Sequence, residues 1–439
     1  MIAPILARRG AAGFWFAVVV TGVGTGLVAA ALTGLLELVQ HLVWGGGGDL
    51  LHVASTAAPW RHLVILLAAG LLTGAGQFVL TQRSSGSGLD ITAAIWFYAG
   101  RLPAIRTLGS AVLSVVIVGM GAALGREGAP KQAGAVIANA ASDRARLSDD
   151  QRRLLVACGA GAGMAAAYGV PLGGALFAVE VLRGALALRF VLPALVTTLV
   201  ATEVSWVFLP DAPLYKIPAF HGPVPVIAWT LLAGPIIGLV SVVYVRAVAW
   251  ADRHRAKGWR RLVAPVGVLG VLGAMSIPFP QLLGNGRDVS ELAFNGQVAP
   301  LLLIALAFLR PLATVSCLGS GAPGGLFTPS LAFGSLLGGA LGLPLSWLWP
   351  GAPLGLCALL GAAAMLSATT QGPVSTLVLV MELTGYARIA IVPLLLIVAM
   401  ATLIARTIEP RSVYDARLTD EQVRERQLLR DHASQEPPG

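Results

Sequence analysis

From Phe14 to Val43 the sequence carries one formal charge, Glu37, and apolar runs of the same kind recur along nearly its whole length. In a lipid bilayer the backbone N–H and C=O groups find no water, so such runs can span only as helices or as strands of a closed barrel. Barrel strands alternate apolar and polar residues over about ten positions, whereas these runs are continuous and rich in Ala, Leu, Gly and Val. The chain reads as an all-α polytopic membrane protein. Composition agrees: of 439 residues 56% are hydrophobic and 12% charged, against about a quarter charged in soluble domains. The first run is too long for a signal-peptide core and lacks a clear cleavage site, so it is the first membrane helix.

A net charge of +9 raises nucleic acid as a partner, but the placement of the charge excludes it. Basic residues gather at Arg8 and Arg9, at Arg144, Arg146, Arg152 and Arg153, and from Arg253 to Arg261, between apolar spans. That is the positive-inside pattern of a protein in the cell membrane. Cys158, Cys317 and Cys357 sit in apolar surroundings without ligand spacing, and the six histidines form no HExxH-like pair. No metal and no cofactor is expected.

The chain repeats itself loosely. "GREGAP" (125–130) has a counterpart in "GGLFTP" (324–329), each followed by two small-residue helices and a proline-led helix ending in glutamate. Pro171 and Glu180 in the first copy have the same spacing as Pro373 and Glu382 in the second. Two membrane halves follow, 13–210 and 222–410, with a cytoplasmic N-terminus at 1–12 and a cytoplasmic tail over 411–439. The connection at 141–153 is strongly basic, while its counterpart at 343–355 has no Lys or Arg. The charge contrast puts the two loops on opposite faces, so the halves are inverted. Inverted repeats place substrate sites near the bilayer midplane, on broken helices.

Three glycine-rich stretches break the apolar pattern: "SSGSGLD" (84–90), "GREGAP" (125–130) and "GSGAPGGLFTP" (319–329). Each precedes a run of helix formers, and Pro130 and Pro329 suit a first helical turn. Helix N-termini with free N–H groups attract anions. Three of them brought together would hold an unhydrated anion on backbone alone. A full Lys or Arg charge there would bind it too tightly to let it leave. No phosphate-binding GxxxxGK[ST] loop is present.

"GSG" (86–88), "GREG" (125–128), "SGAPGGLFTP" (320–329) and the late tyrosine of "RSVYDARL" (411–418) together resemble the CLC family of chloride channels and proton-coupled chloride exchangers. The likeness runs from about Phe14 to Leu418. It implies the CLC-type inverted-repeat fold, broken helices meeting at the bilayer midplane, and a homodimer with one anion pathway per subunit. The tail over 411–439 is expected to carry no CBS domains, unlike that of larger relatives, and both termini are expected in the cytoplasm. In the site that the likeness implies, Ser87 and Tyr414 give hydroxyls to a chloride ion. Gly88, Gly128, Leu326 and Phe327 line that ion with backbone, and Glu127 is the gating and proton-accepting glutamate. An intramembrane glutamate at a helix start fits that role, because the dipole favours its ionised form in the place of an anion.

The chain departs from the family pattern in three places. Asp90 replaces a proline after GSG. Lys131 lies four residues after Glu127, a spacing that on a helix puts both on one face and favours the ionised glutamate. The inner proton-relay position of exchangers falls on Val181, beside Glu180, and valine carries no proton; Glu180 and Glu382 are expected to meet arginines or helix ends. Serine at 87 and tyrosine at 414 point to chloride as the ion. The expected function is chloride/proton exchange. The alternative is a passive chloride channel or uncoupled chloride transporter, because of Val181. An intramembrane enzyme would need a second catalytic group near Glu127, and the sequence offers none at a plausible spacing.

Overall fold

A computed structural model describes residues 11–46, 49–83, 90–218, 220, 224–385, 391–415 and 418–435. Their regular structure is helical. The first part of the chain runs through α1 (Ala11–Trp44), α2 (Leu50–Thr56), α3 (Pro59–Arg83), α4 (Ile91–Phe97), α5 (Ala104–Gly119), α6 (Gly128–Arg144) and α7 (Asp149–Tyr168). Then come α8 (Pro171–Leu176), which continues as a π-helical turn (Phe177–Arg183), and α9 (Leu188–Trp206). The second part holds α10 (Val224–Arg253), α11 (Arg260–Ser276), α12 (Arg287–Phe294), α13 (Pro300–Gly319) and α14 (Phe327–Leu348). It closes with α15 (Leu354–Thr370), α16 (Pro373–Thr384), α17 (Ile391–Ile408) and α18 (Asp420–Gln435). Among the described residues seven of these helices are long and apolar enough to cross a membrane.

Two helix pairs form the centre, α6 on α7 and α14 on α15. Lipid tails are as apolar as leucine, so helices in a bilayer gain by close backbone contact more than by burying grease. Both pairs do this with glycine. A Cβ on Gly134 would run into the carbonyl of Gly159, and one on Gly159 into that of Gly134. Gly334 and Gly338 meet Gly361 in the same way. The abundance of glycine in the sequence is spent at such crossings.

One internal charge is held by backbone. Arg310 on α13 has no solvent exposure, and its guanidinium donates to the carbonyls of Leu282 and Gly284 at 2.6 and 2.5 Å. At the basic connection, α7 opens with a capping box of Ser148 and Gln151 and with Asp149 and Asp150 in its first turn. A start of this kind, typical of water-exposed helix ends, suits a loop outside the lipid.

Candidate functional site

Two glycine-rich turns meet face to face. Gly125 and Gly325 exchange both backbone hydrogen bonds at 2.8 Å, which sets the start of α6 beside the start of α14. Glu127 immediately precedes α6, and its side chain crosses to the other helix. Oε1 accepts the Phe327 N–H at 2.6 Å; Oε2 accepts from the Thr328 hydroxyl at 3.1 Å and from the Tyr168 hydroxyl at 3.2 Å. The carboxylate is fully buried. It sits where the first turn of α14 presents unsatisfied N–H groups and the positive end of a dipole. Glycine at 125 and 325 is what makes room, since a Cβ on either would collide with the carboxylate oxygens.

Glu127 lies between two cavities. Arg126 lines one of about 340 Å³, together with Glu37, His41, Asp49, Arg287 and Asp288. Gly128 and Lys131 line the other, of about 200 Å³, with Asp90, Phe177, Gly324, Leu326 and Tyr414. Residues on either side of Glu127 thus face different spaces, and the buried glutamate itself lines neither.

The expected site residues fall as follows. Gly128, Leu326 and Tyr414 line the second cavity together, and Phe327 stands behind it with its N–H turned to Glu127. Tyr414 packs edge-on against Phe177 at 5.4 Å between ring centres. Ser87 and Gly88 lie outside the described residues. Asp90, which follows them, is the N-cap of α4 and accepts the Thr92 N–H at 3.0 Å.

Lys131 makes no direct ion pair with Glu127, which acts on it only through longer-range attraction. Its ammonium donates to the Tyr414 hydroxyl at 3.4 Å, and among the described residues no carboxylate comes within ion-pair distance of it. The reason is geometric. Glu127 precedes the helix rather than belonging to it, so its side chain is free to follow the donors of α14 instead of the one-turn ladder of α6.

Glu180 and Glu382 meet helix ends. Glu180 accepts the N–H groups of Val374 and Ser375 at 3.1 and 2.6 Å, in the first turn of α16. Glu382 accepts those of Leu172 and Gly173 at 3.0 and 2.6 Å, in the first turn of α8. Each proline-led helix therefore caps the other. Beside Glu180, the buried Val181 lends its carbonyl to the guanidinium of Arg426 on α18 at 2.8 Å. Arg426 pairs with Asp415 and lies 5.4 Å from the centre of the Trp96 ring.

Sequence reasoning missed three residues here: Tyr168, Thr328 and Phe177. Tyr168 had a usable signal, being the one aromatic residue of a helix otherwise rich in Ala and Gly. Thr328 was inside a quoted motif, and Phe177 looked like any apolar helix residue.

The model of the family described as voltage gated chloride channel matches residues 69–406. A protein of Escherichia coli O81 (strain ED1a), named voltage-gated ClC-type chloride channel ClcB, is 32% identical over 411 residues, covering 88% of this chain and 95% of its own. The protein of that name from Citrobacter koseri is 30% identical over 407 residues, with the same coverage. Among solved structures, a slow cyanobacterial Cl⁻/H⁺ antiporter superposes with a TM-score of 0.78 at 23% identity, covering 96% of this chain and 98% of that one. A CLC-type fluoride/proton antiporter gives 0.69 at 22% identity, covering 89% and 97%. Those superpositions give the fold, the CLC-type inverted repeat with broken helices, and make the chain a multi-pass membrane protein. A family match spanning most of the chain and relatives at about a third identity over nearly its whole length agree with the paired glycine turns: this protein belongs to the voltage-gated chloride channel (CLC) family.

Proposed function

We propose that this chain carries chloride across the cell membrane through a pathway that Glu127 closes when ionised, and that protonation of Glu127 couples chloride to proton exchange. One observation carries the reading: the Glu127 carboxylate occupies the N-terminus of α14 as an anion would, buried between two cavities. Protonated, it loses its attraction to the helix dipole and can leave, and a chloride ion takes its donors. Chloride as the ion is supported by the names of the relatives at 30–32% identity. In this reading Gly128, Leu326, Phe327 and Tyr414 contact the ion, joined by Ser87 and Gly88. The halves 13–210 and 222–410 are supported by the reciprocal caps and the Gly125–Gly325 pairing. The assembly is a homodimer with both termini in the cytoplasm.

A second reading, chloride transport without proton coupling, is favoured by Val181 and its neighbour. At the position where exchangers keep a proton-carrying glutamate, this chain has a valine whose carbonyl is bound by a buried guanidinium. Purified protein in liposomes under a chloride gradient, with a pH electrode outside, separates the two. Exchange predicts uphill proton movement, abolished in Glu127→Ala. Chloride flux with no proton movement sinks exchange and leaves the uncoupled reading.

A further inference from the structure

Backbone amides and hydroxyls suffice to hold an anion loosely, yet this cavity also contains a lysine. Lys131 stands in the first turn of α6, is 5% exposed, and lines the cavity with Gly128, Gly324, Leu326 and Tyr414. Its Nζ has three donors to place. One reaches the Tyr414 hydroxyl at a long 3.4 Å, and the ammonium lies 4.5 Å from the centre of the Tyr414 ring and 5.2 Å from that of Phe177. Ring faces hold a desolvated cation less well than an anion in direct contact would. A buried charge without a contact counter-ion is costly; among the described residues no carboxylate is in ion-pair range of Nζ, and Glu127 and Asp90 attract it only from further away. Of the other charged groups lining the cavity, Asp90 caps α4, and Arg106, Asp252 and Arg255 complete the set.

We propose that the missing counter-ion is the transported anion: Lys131 Nζ and Tyr414 Oη together coordinate a monovalent anion in this cavity. The inference rests on the pathway proposed above and adds a cationic ligand to it. Lys131 then sets a compromise. Its charge balances one of the two negative charges, the bound ion and ionised Glu127, that share the pathway, so the ion binds tightly. The same attraction slows its departure, and turnover is limited by release.

The test is chloride calorimetry on the purified protein in detergent at constant ionic strength, with chloride flux from liposomes alongside. Lys131→Met is close to isosteric and places an apolar chain between two rings. It should raise the chloride Kd about 10- to 100-fold, the loss of one charge-assisted contact, and raise the maximal flux. Lys131→Arg, which keeps the cation, should stay near wild type. Tyr414→Phe should raise Kd less than Lys131→Met does. An unchanged Kd in Lys131→Met, or in Lys131→Gln should the methionine variant fail to fold, overturns the proposal. So does an effect that disappears in a Tyr414→Phe background, because Lys131 would then only position the tyrosine. Wild-type protein that neither binds nor passes chloride would overturn the pathway itself, a result distinct from either.

Discussion

The buried Glu127 carboxylate is met by the Phe327 N–H and by the hydroxyls of Thr328 and Tyr168, which also share a hydrogen bond with each other at 2.8 Å. Hydrogen bonds to a charged group contribute about 1.5–3 kcal/mol each. Tyr168→Phe should therefore weaken the closed state without blocking the pathway, and initial chloride flux at alkaline pH should rise several-fold. Gly325→Ala should go further, since its Cβ claims the space of the carboxylate oxygens; its flux should approach that of Glu127→Ala. At this scale Glu127 was legible because a charged residue among glycines and alanines has few uses in a membrane. Lys131 was legible as an anomaly but not in its direction, which depends on where α14 and Tyr414 stand.

The proline-led elements show what spacing can and cannot tell. Pro171 with Glu180 and Pro373 with Glu382 announced two similar helices, and the structure makes them differ: α8 gives way to a π-helical turn that carries Glu180 and Val181. π-turns of this kind gather at functional positions. Neither glutamate's partner could be read from sequence, because each caps a helix roughly two hundred residues away. Losing a helix cap costs about 1–2 kcal/mol. Glu180→Ala and Glu382→Ala should each lower the melting temperature of the detergent-solubilised protein. A cap removed at one helix should leave the other intact, so the double variant should fall by about the sum.

Over the whole molecule, α18 is tied to the rest of the chain by the Arg411–Asp420 ion pair at 2.9 Å, by Val423 packed with Ala93, and by a buried arginine. Arg426 pairs with Asp415, donates to the Val181 carbonyl and stacks near Trp96. Breaking a buried pair by removing one partner costs about 3–5 kcal/mol. Arg426→Met should accordingly destabilise the protein more than either cap variant, and adding Asp415→Asn should recover part of the loss in a melting experiment. The sequence by itself determined the membrane setting, the helical class and the broken-helix motifs, and it marked Glu127 as an anomaly, because each follows from local chemistry: apolar run length, helix termini, and a charge out of place. Only the tertiary structure decided which helix start Glu127 occupies, that Lys131 faces Tyr414, and that an arginine lies against Val181. Those contacts join segments far apart in the chain, and their geometry is set by how closely glycine lets the helices approach.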